Sequence, residues 1–285
     1  MHKHVIYATL VGLTPAVAAD VVVLTPSKDN TLYQSSTGAL SNGKGDFIFS
    51  GRTLSELNRR ALIAFDLSAV PPGATITGAR LVLTMTRTIS GPMPMSLHRV
   101  TASWGEGTSN ATGAEGQGAP ATPGDATWLH RYFSTSTWST PGGAFVATPS
   151  HTVPVDGEAE YEWGGGGELI DDVEHWIANP SANHGWLLRG VESEGGTAKR
   201  FASREHPDPA WHPRLIVSYT TPATCNPDVN CDGAANGVDV EVQERAVGGE
   251  LTDYCAPDPD FNQDGAVNGT DVEAVERAVG GGPCD

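Results

Sequence analysis

The sequence holds no apolar run of 18 residues after its N-terminal segment, so nothing in it reads as a membrane-spanning helix. It has no cysteine before residue 225 and no histidine after residue 212. Zinc would need closer cysteine pairs or nearby histidines, so the four late cysteines do not read as its ligands. Basic residues are scarce, 17 Lys plus Arg against 34 Asp plus Glu. The absence of a basic patch argues against nucleic acid as a partner. Also missing are the G-x-S-x-G nucleophile elbow, the H-E-x-x-H metal motif and the P-loop. Glycosidase carboxylates are paired in space and not in sequence, so Asp66, Glu106, Asp171, Asp172, Glu192 and Glu205 stay eligible. Taken singly, each fits a turn acceptor, a helix charge, a salt-bridge partner or a cation ligand.

What is present points to export. His2, Lys3 and His4 precede an apolar stretch from Val5 to Val17, and Ala16-Val17-Ala18 forms a small-x-small cleavage site. Residues 1–19 are therefore expected to be a signal peptide, and the mature protein to be soluble and extracellular. Cys225, Cys231, Cys255 and Cys284 all fall in 225–285. An even number in a small exported module predicts two disulfides, with three pairings open. The same stretch carries 14 Asp plus Glu against Arg245 and Arg277, so it holds −12 of the net charge of −17.

Those carboxylates are ordered. "DVNCDGAANGVD" (228–239) and "DFNQDGAVNGTD" (260–271) place oxygen donors at the positions a hard cation needs in a 12-residue loop. The first would use Asp228, Asn230, Asp232, the Ala234 carbonyl, Asn236 and Asp239. The second would use Asp260, Asn262, Asp264, the Ala266 carbonyl, Asn268 and Asp271. Glycine at position 6 (Gly233, Gly265) allows the turn. Two calcium ions are the expected cofactors. Each loop is followed by a helical pattern ending in Gly-Gly, and prolines before each loop preclude an incoming helix.

This duplicated loop-helix unit resembles a type I dockerin over about 225–285. The resemblance implies a small all-α module that docks to a cohesin-like protein. It departs at loop positions 10 and 11, where the family often carries Ser/Thr contacts and this chain has Gly237-Val238 and Gly269-Thr270. The four cysteines are also unusual for that family.

Residues 20–222 have a different texture, short apolar runs separated by Gly, Pro, Ser and Thr. Strands are expected at 46–51, 59–67, 79–87, 95–100, 126–133, 150–155, 185–190 and 213–220. In 79–87, Leu81, Leu83 and Met85 alternate inward while Thr84 and Thr86 face out. One helix is expected in "ELIDDVEHWIANP", with Leu169, Val173, Trp176 and Ile177 on one face. The fold class is mostly β, a jelly-roll-type sandwich with one helix. The ordered run "KDNTLYQ", "RRALIAFDLSAVPPGATITGARLVL", "SLHRVTASWGEG", "DDVEHWIANPSANHGWLLRG", "AKRFASRE" and "PRLIVSYT" resembles the DNRLRE domain family. That family is allied to carbohydrate-binding modules that include alginate binders, so the resemblance implies fold more strongly than ligand.

Of seven tryptophans, Trp104, Trp138 and Trp163 adjoin Gly/Ser/Thr-rich loops and are the candidates for stacking on a sugar. Trp176 and Trp186 fit the core. Residues 105–125 read as a long loop with little to order it. The sequence thus predicts a non-catalytic, exported protein whose sandwich binds a polysaccharide and whose tail tethers it through calcium. The competing classes are a structural surface or matrix protein and a polysaccharide lyase or hydrolase.

Overall fold

The computed structural model describes residues 19–165, 167–221 and 225–284. The expected signal peptide lies outside these residues apart from Ala19. The chain divides into two compact units, one of Asp20–Pro72 with Ile76–Tyr219, the other chiefly Thr220–Asp285.

The larger unit is a sheet of 11 strands, antiparallel in every recorded pairing and curled into a β-sandwich-like form. From one edge the neighbours are Asp20–Leu24, Arg214–Thr220, Thr75–Thr88, Lys199–Ala202 and Phe47–Arg52. The path continues through Asn58–Phe65, Trp186–Arg189, Met93–Arg99 and His151–Val155. Two further strands flank it: Ala159–Gly164 pairs with Thr75–Thr88, and Pro26–Tyr33 with Asn58–Phe65. The strand Phe47–Arg52 turns the corner, since its start pairs with Lys199–Ala202 and its end, from Gly51, with Asn58–Phe65.

The alternation in Thr75–Thr88 behaves as its pattern requires, with Leu81, Leu83 and Met85 buried. Thr86 does not face water. It is buried, and its hydroxyl oxygen accepts a hydrogen bond from Arg200 Nε at 2.9 Å. Helix α1, Gly167–Ala178, covers the sheet with Leu169, Val173 and Trp176. Trp176 lies edge-on to Trp186 at 4.5 Å between ring centroids. The expected strand at 126–133 reduces to a short ribbon, His130–Tyr132 paired with Ser136–Thr137.

The stretch 105–125 contradicts its sequence reading, because it is tied down throughout. Glu115 is buried, and its carboxylate accepts hydrogen bonds from Asn42 Nδ2 and from the amides of Asp46 and Phe47. Tyr33 donates its hydroxyl to the Glu115 carbonyl, and Ala119–Pro120 pairs with Leu40–Ser41. Gly107 adopts φ +74°, and a Cβ there would lie 1.4 Å from Asp125 Oδ1. A polar loop is ordered here by partners remote in sequence, which local composition cannot reveal.

The smaller unit has two helices, α2 Gly237–Val247 and α3 Gly269–Val279, of 11 residues each. An all-α description does not hold for it, because the remaining described residues lie outside regular helix. Proline and the 12-residue loops prevent any further helix. Val229, Val242, Phe261, Ala274, Val275 and Cys284 form its core. The disulfides join Cys225 to Cys284 and Cys231 to Cys255, which selects one of the three pairings.

Candidate functional site

The two loops of the smaller unit share one framework of hydrogen bonds, to which the second adds those of Thr270. In the first, Asp228 accepts from the amides of Asp232 (3.0 Å) and Gly233 (3.0 Å), and Asp232 accepts from Ala234 N (2.9 Å). In the second, Asp260 accepts from Asp264 N (3.1 Å) and Gly265 N (2.9 Å), and Asp264 from Ala266 N (2.9 Å). Position 6 is glycine at φ +91° in both, and position 4 is left-handed in both, Cys231 at +58° and Gln263 at +56°. The loops run directly into their helices. Asn236 and Asn268 are N-caps, and Asp239 and Asp271 complete capping boxes three residues on. Both aspartates are fully buried. Each also reaches back across its loop, Asp239 to Asn230 N at 3.3 Å and Asp271 to Asn262 N at 3.1 Å.

The donors in these loops are oxygens only, which suits a hard cation such as calcium. The predicted ligands of each loop therefore fit the ion in chemistry and backbone. Their carboxylates are spread over the loop amides and not gathered at one point.

The larger unit contains a tighter arrangement. One carboxylate oxygen each from Asp29, Glu106 and Glu205 lies within 4.8 Å of the other two. Asp29 comes from the strand Pro26–Tyr33, Glu106 from the loop that sequence reading left unordered, and Glu205 from the turn after Lys199–Ala202. Cations and amides fix the outer oxygens. Lys44 bridges Glu106 and Glu205, and Arg204 Nη1 donates to Glu106 Oε1 at 2.8 Å. The Arg204 amide donates to Asp29 Oδ2 at 2.7 Å, and the Asp29 amide to Glu106 Oε1 at 3.1 Å. Asp29 is fully buried; burial first, then the charge of Glu205, drives its carboxyl well above the usual carboxylate range. Burial also raises Glu205, against the pull of Lys44.

Trp104, Trp138 and Trp163 are not sugar platforms in this structure. They are 1%, 5% and 0% exposed, and their indole N–H groups donate to the carbonyls of His184, Thr127 and Met95. Trp104 and Trp138 sit in the core cluster with Leu32, Leu62 and Leu187, and Trp163 meets Phe201 edge-on between strands, because a large ring with one satisfied donor fills such space well. Trp104→Ala is accordingly expected to cost about 3–5 kcal/mol, read as a fall in denaturation midpoint.

Sequence reasoning missed the exposed aromatics. Trp211 is 40% exposed and stacks on His206 at 4.9 Å, with an interplanar angle of 15°. His206 meets Phe47 edge-on at 5.4 Å, and the Arg200 guanidinium lies 3.7 Å over the Phe47 ring. Arg200 also lines a cavity of about 350 Å³ that includes Arg59, Arg87 and Lys199 and no carboxylate. Three of these cations are already engaged, Arg200 through its Nε bond to Thr86. Arg59 donates to the Gly116 carbonyl, and Lys199 to oxygens of Thr88, Ser90, Gly91 and Asp156. Arg87 is exposed at the mouth, beside Leu54 and Ile89, which are 75% and 67% exposed. Burial, then the neighbouring Arg87 charge, lowers the pKa of Arg200.

The chain matches no family model and no curated protein. The eligible carboxylates outside the cluster take structural roles. Asp66 accepts from Ser68 N in a turn, and Asp172 accepts from Ser150, Trp186 and Arg99. Glu192 pairs with Arg60, and Asp171 is exposed on α1. Among the described residues no helix is long and apolar enough to cross a membrane.

Proposed function

We propose that this protein is a non-catalytic, extracellular binding protein. Its jelly-roll-type sandwich engages an anionic polysaccharide, and its dockerin-like tail, folded by two calcium ions, tethers it to a cohesin-like partner. The observation that carries the polysaccharide half is the continuous run from Arg87 and Arg200 through Phe47 and His206 to exposed Trp211. Guanidinium groups recognise carboxylate or sulfate, and flat exposed rings stack on sugar faces. Inner strands of the sheet and the turn Pro209–Trp211 hold both on one rigid scaffold, so little order is lost on binding.

The tethering half rests on the repeated loop geometry and its resemblance to the dockerin unit, from which Gly237-Val238 and Gly269-Thr270 depart at the partner-contact positions. Calorimetric titration of the full chain should show calcium filling both loops, and Asp228→Ala should remove one of the two.

Affinity electrophoresis tests the sandwich. Migration should be retarded by a soluble polyuronate and unaffected by a neutral glucan. Arg87→Ala and Trp211→Ala should each weaken retardation roughly tenfold, the loss of one charge-assisted hydrogen bond or one stacking contact. Equal migration in both gels would leave a surface or matrix protein without sugar binding.

A further inference from the structure

The tail loops are not the best-formed cation site in the molecule. Asp29, Glu106 and Glu205 are brought together from three separate segments, and two of their oxygens have nothing to bind. Asp29 Oδ1 and Glu205 Oε2 are buried without a hydrogen-bond partner. A fully buried carboxylate with one oxygen unsatisfied is costly unless something positive meets it. The existing cations do not. The Arg204 amide holds Asp29 Oδ2 and Lys44 holds Glu205 Oε1, while the Lys28 ammonium donates to the Trp104 carbonyl and lies 4.1 Å from the centroid of that ring. Three carboxyl groups thus meet only two cations in direct contact.

We propose that Asp29, Glu106 and Glu205 bind a single hard divalent cation, calcium by the class of its donors, within the sandwich unit. Every group offered is a carboxylate oxygen, and no nitrogen or sulfur donor belongs to the cluster. Arg204 and Lys44 act as its outer frame, holding Glu106 through both of its oxygens and leaving Asp29 Oδ1 and Glu205 Oε2 free. The site would pin the strand Pro26–Tyr33, the 105–125 segment and the turn after Lys199–Ala202 to one another. It does not depend on the tail binding calcium.

The test uses the full chain, stripped by chelation and titrated with calcium in a calorimeter. In an Asp228→Ala/Asp260→Ala background, which disables the first ligand of each tail loop, one ion should still bind. Adding Asp29→Asn, which keeps an acceptor for the Arg204 amide, should abolish it. Glu205→Gln serves if Asp29→Asn fails to fold, judged by near-ultraviolet dichroism. In the converse experiment Asp29→Asn alone should leave the tail ions in place, so failure of either site is separable from failure of the other. Absence of an ion in the loop-disabled background would overturn the proposal and assign the missing positive charge to a proton shared by the carboxyls. So would an ion indifferent to both substitutions.

Discussion

Chelating calcium from the full chain is expected to strip most of the helix from the smaller unit while the larger unit keeps its sheet. The two helices are 11 residues each, shorter than the roughly 12–15 that an isolated helix needs in water. Their core is small, and its larger members are Val229, Val242, Phe261 and Val275. Their N-termini are capped by loop residues, Asn236 with Asp239 and Asn268 with Asp271. Calcium would hold the carboxylates that otherwise repel, so metal binding and helix capping become one event. Asp239→Ala should reproduce the loss locally even with calcium present. It leaves the half-buried amides of Asn230 and Asn236 without their acceptor, at about 1 kcal/mol for each lost bond. Far-ultraviolet dichroism with and without chelator, in oxidised and reduced protein, measures both effects. Chelation should loosen the oxidised tail and unfold the reduced one. Helicity indifferent to chelator would remove calcium from the account.

Arg60→Ala is expected to destabilise the sandwich by about 3–5 kcal/mol. Arg60 Nε donates to Glu192 Oε1 at 2.6 Å and Nη2 to Oε2 at 2.8 Å, while Nη1 donates to the Gly142 carbonyl at 2.7 Å. The guanidinium lies over Trp128 at 4.8 Å, and both partners' side chains are about nine-tenths buried. Removing it leaves Glu192 with Arg189 alone and opens space beside Trp128. The pair also has a pH signature. Burial alone would raise the Glu192 carboxyl, but hydrogen bonds and charge from Arg60, with help from Arg189, hold it below the ordinary value. A depressed folded-state pKa contributes stability that is complete above the unfolded pKa and lost as pH falls through the folded one. Urea midpoints of the native chain should therefore decline on the acid side of about pH 4.3, and Arg60→Ala should flatten that part of the decline. A full acid limb in the variant would show that other carboxylates produce it.

The sequence patterns that survived are those set locally. Alternation announced Thr75–Thr88, the 3.6-residue period announced α1, and glycine at position 6 with oxygen donors announced two loops. What stayed hidden was set by distance. Asp29, Asn30 and Thr31 are fully buried in a strand although their types favour turns. Asn30 and Thr31 tolerate burial because Asn30 Oδ1 accepts from Thr31 N, Ser41 Oγ and Asn42 N, which only the folded chain assembles. Glu106 and Glu205 were visible as eligible carboxylates, yet their meeting with Asp29 is a property of topology. The tryptophans misled for the opposite reason. Loop-like neighbours suggested exposure, whereas the rings lie in the core. Trp211 gave no periodic or compositional sign, and its exposure follows from a short turn, Pro209–Trp211, capped by Asp208.

The bond between Cys225 and Cys284 spans 59 residues and closes nearly the whole smaller unit into a covalent ring. If that unit is a tether, it is a mechanical part. Tension entering at Cys225 divides between two arms of the ring, and no pull on the flanking chain can peel the helices away one after another. The second bond, from loop residue Cys231 to Cys255, braces the ring across its first half. Extension under load would then stop at slack the ring allows, well short of the contour length of the segment, until a reductant opens it.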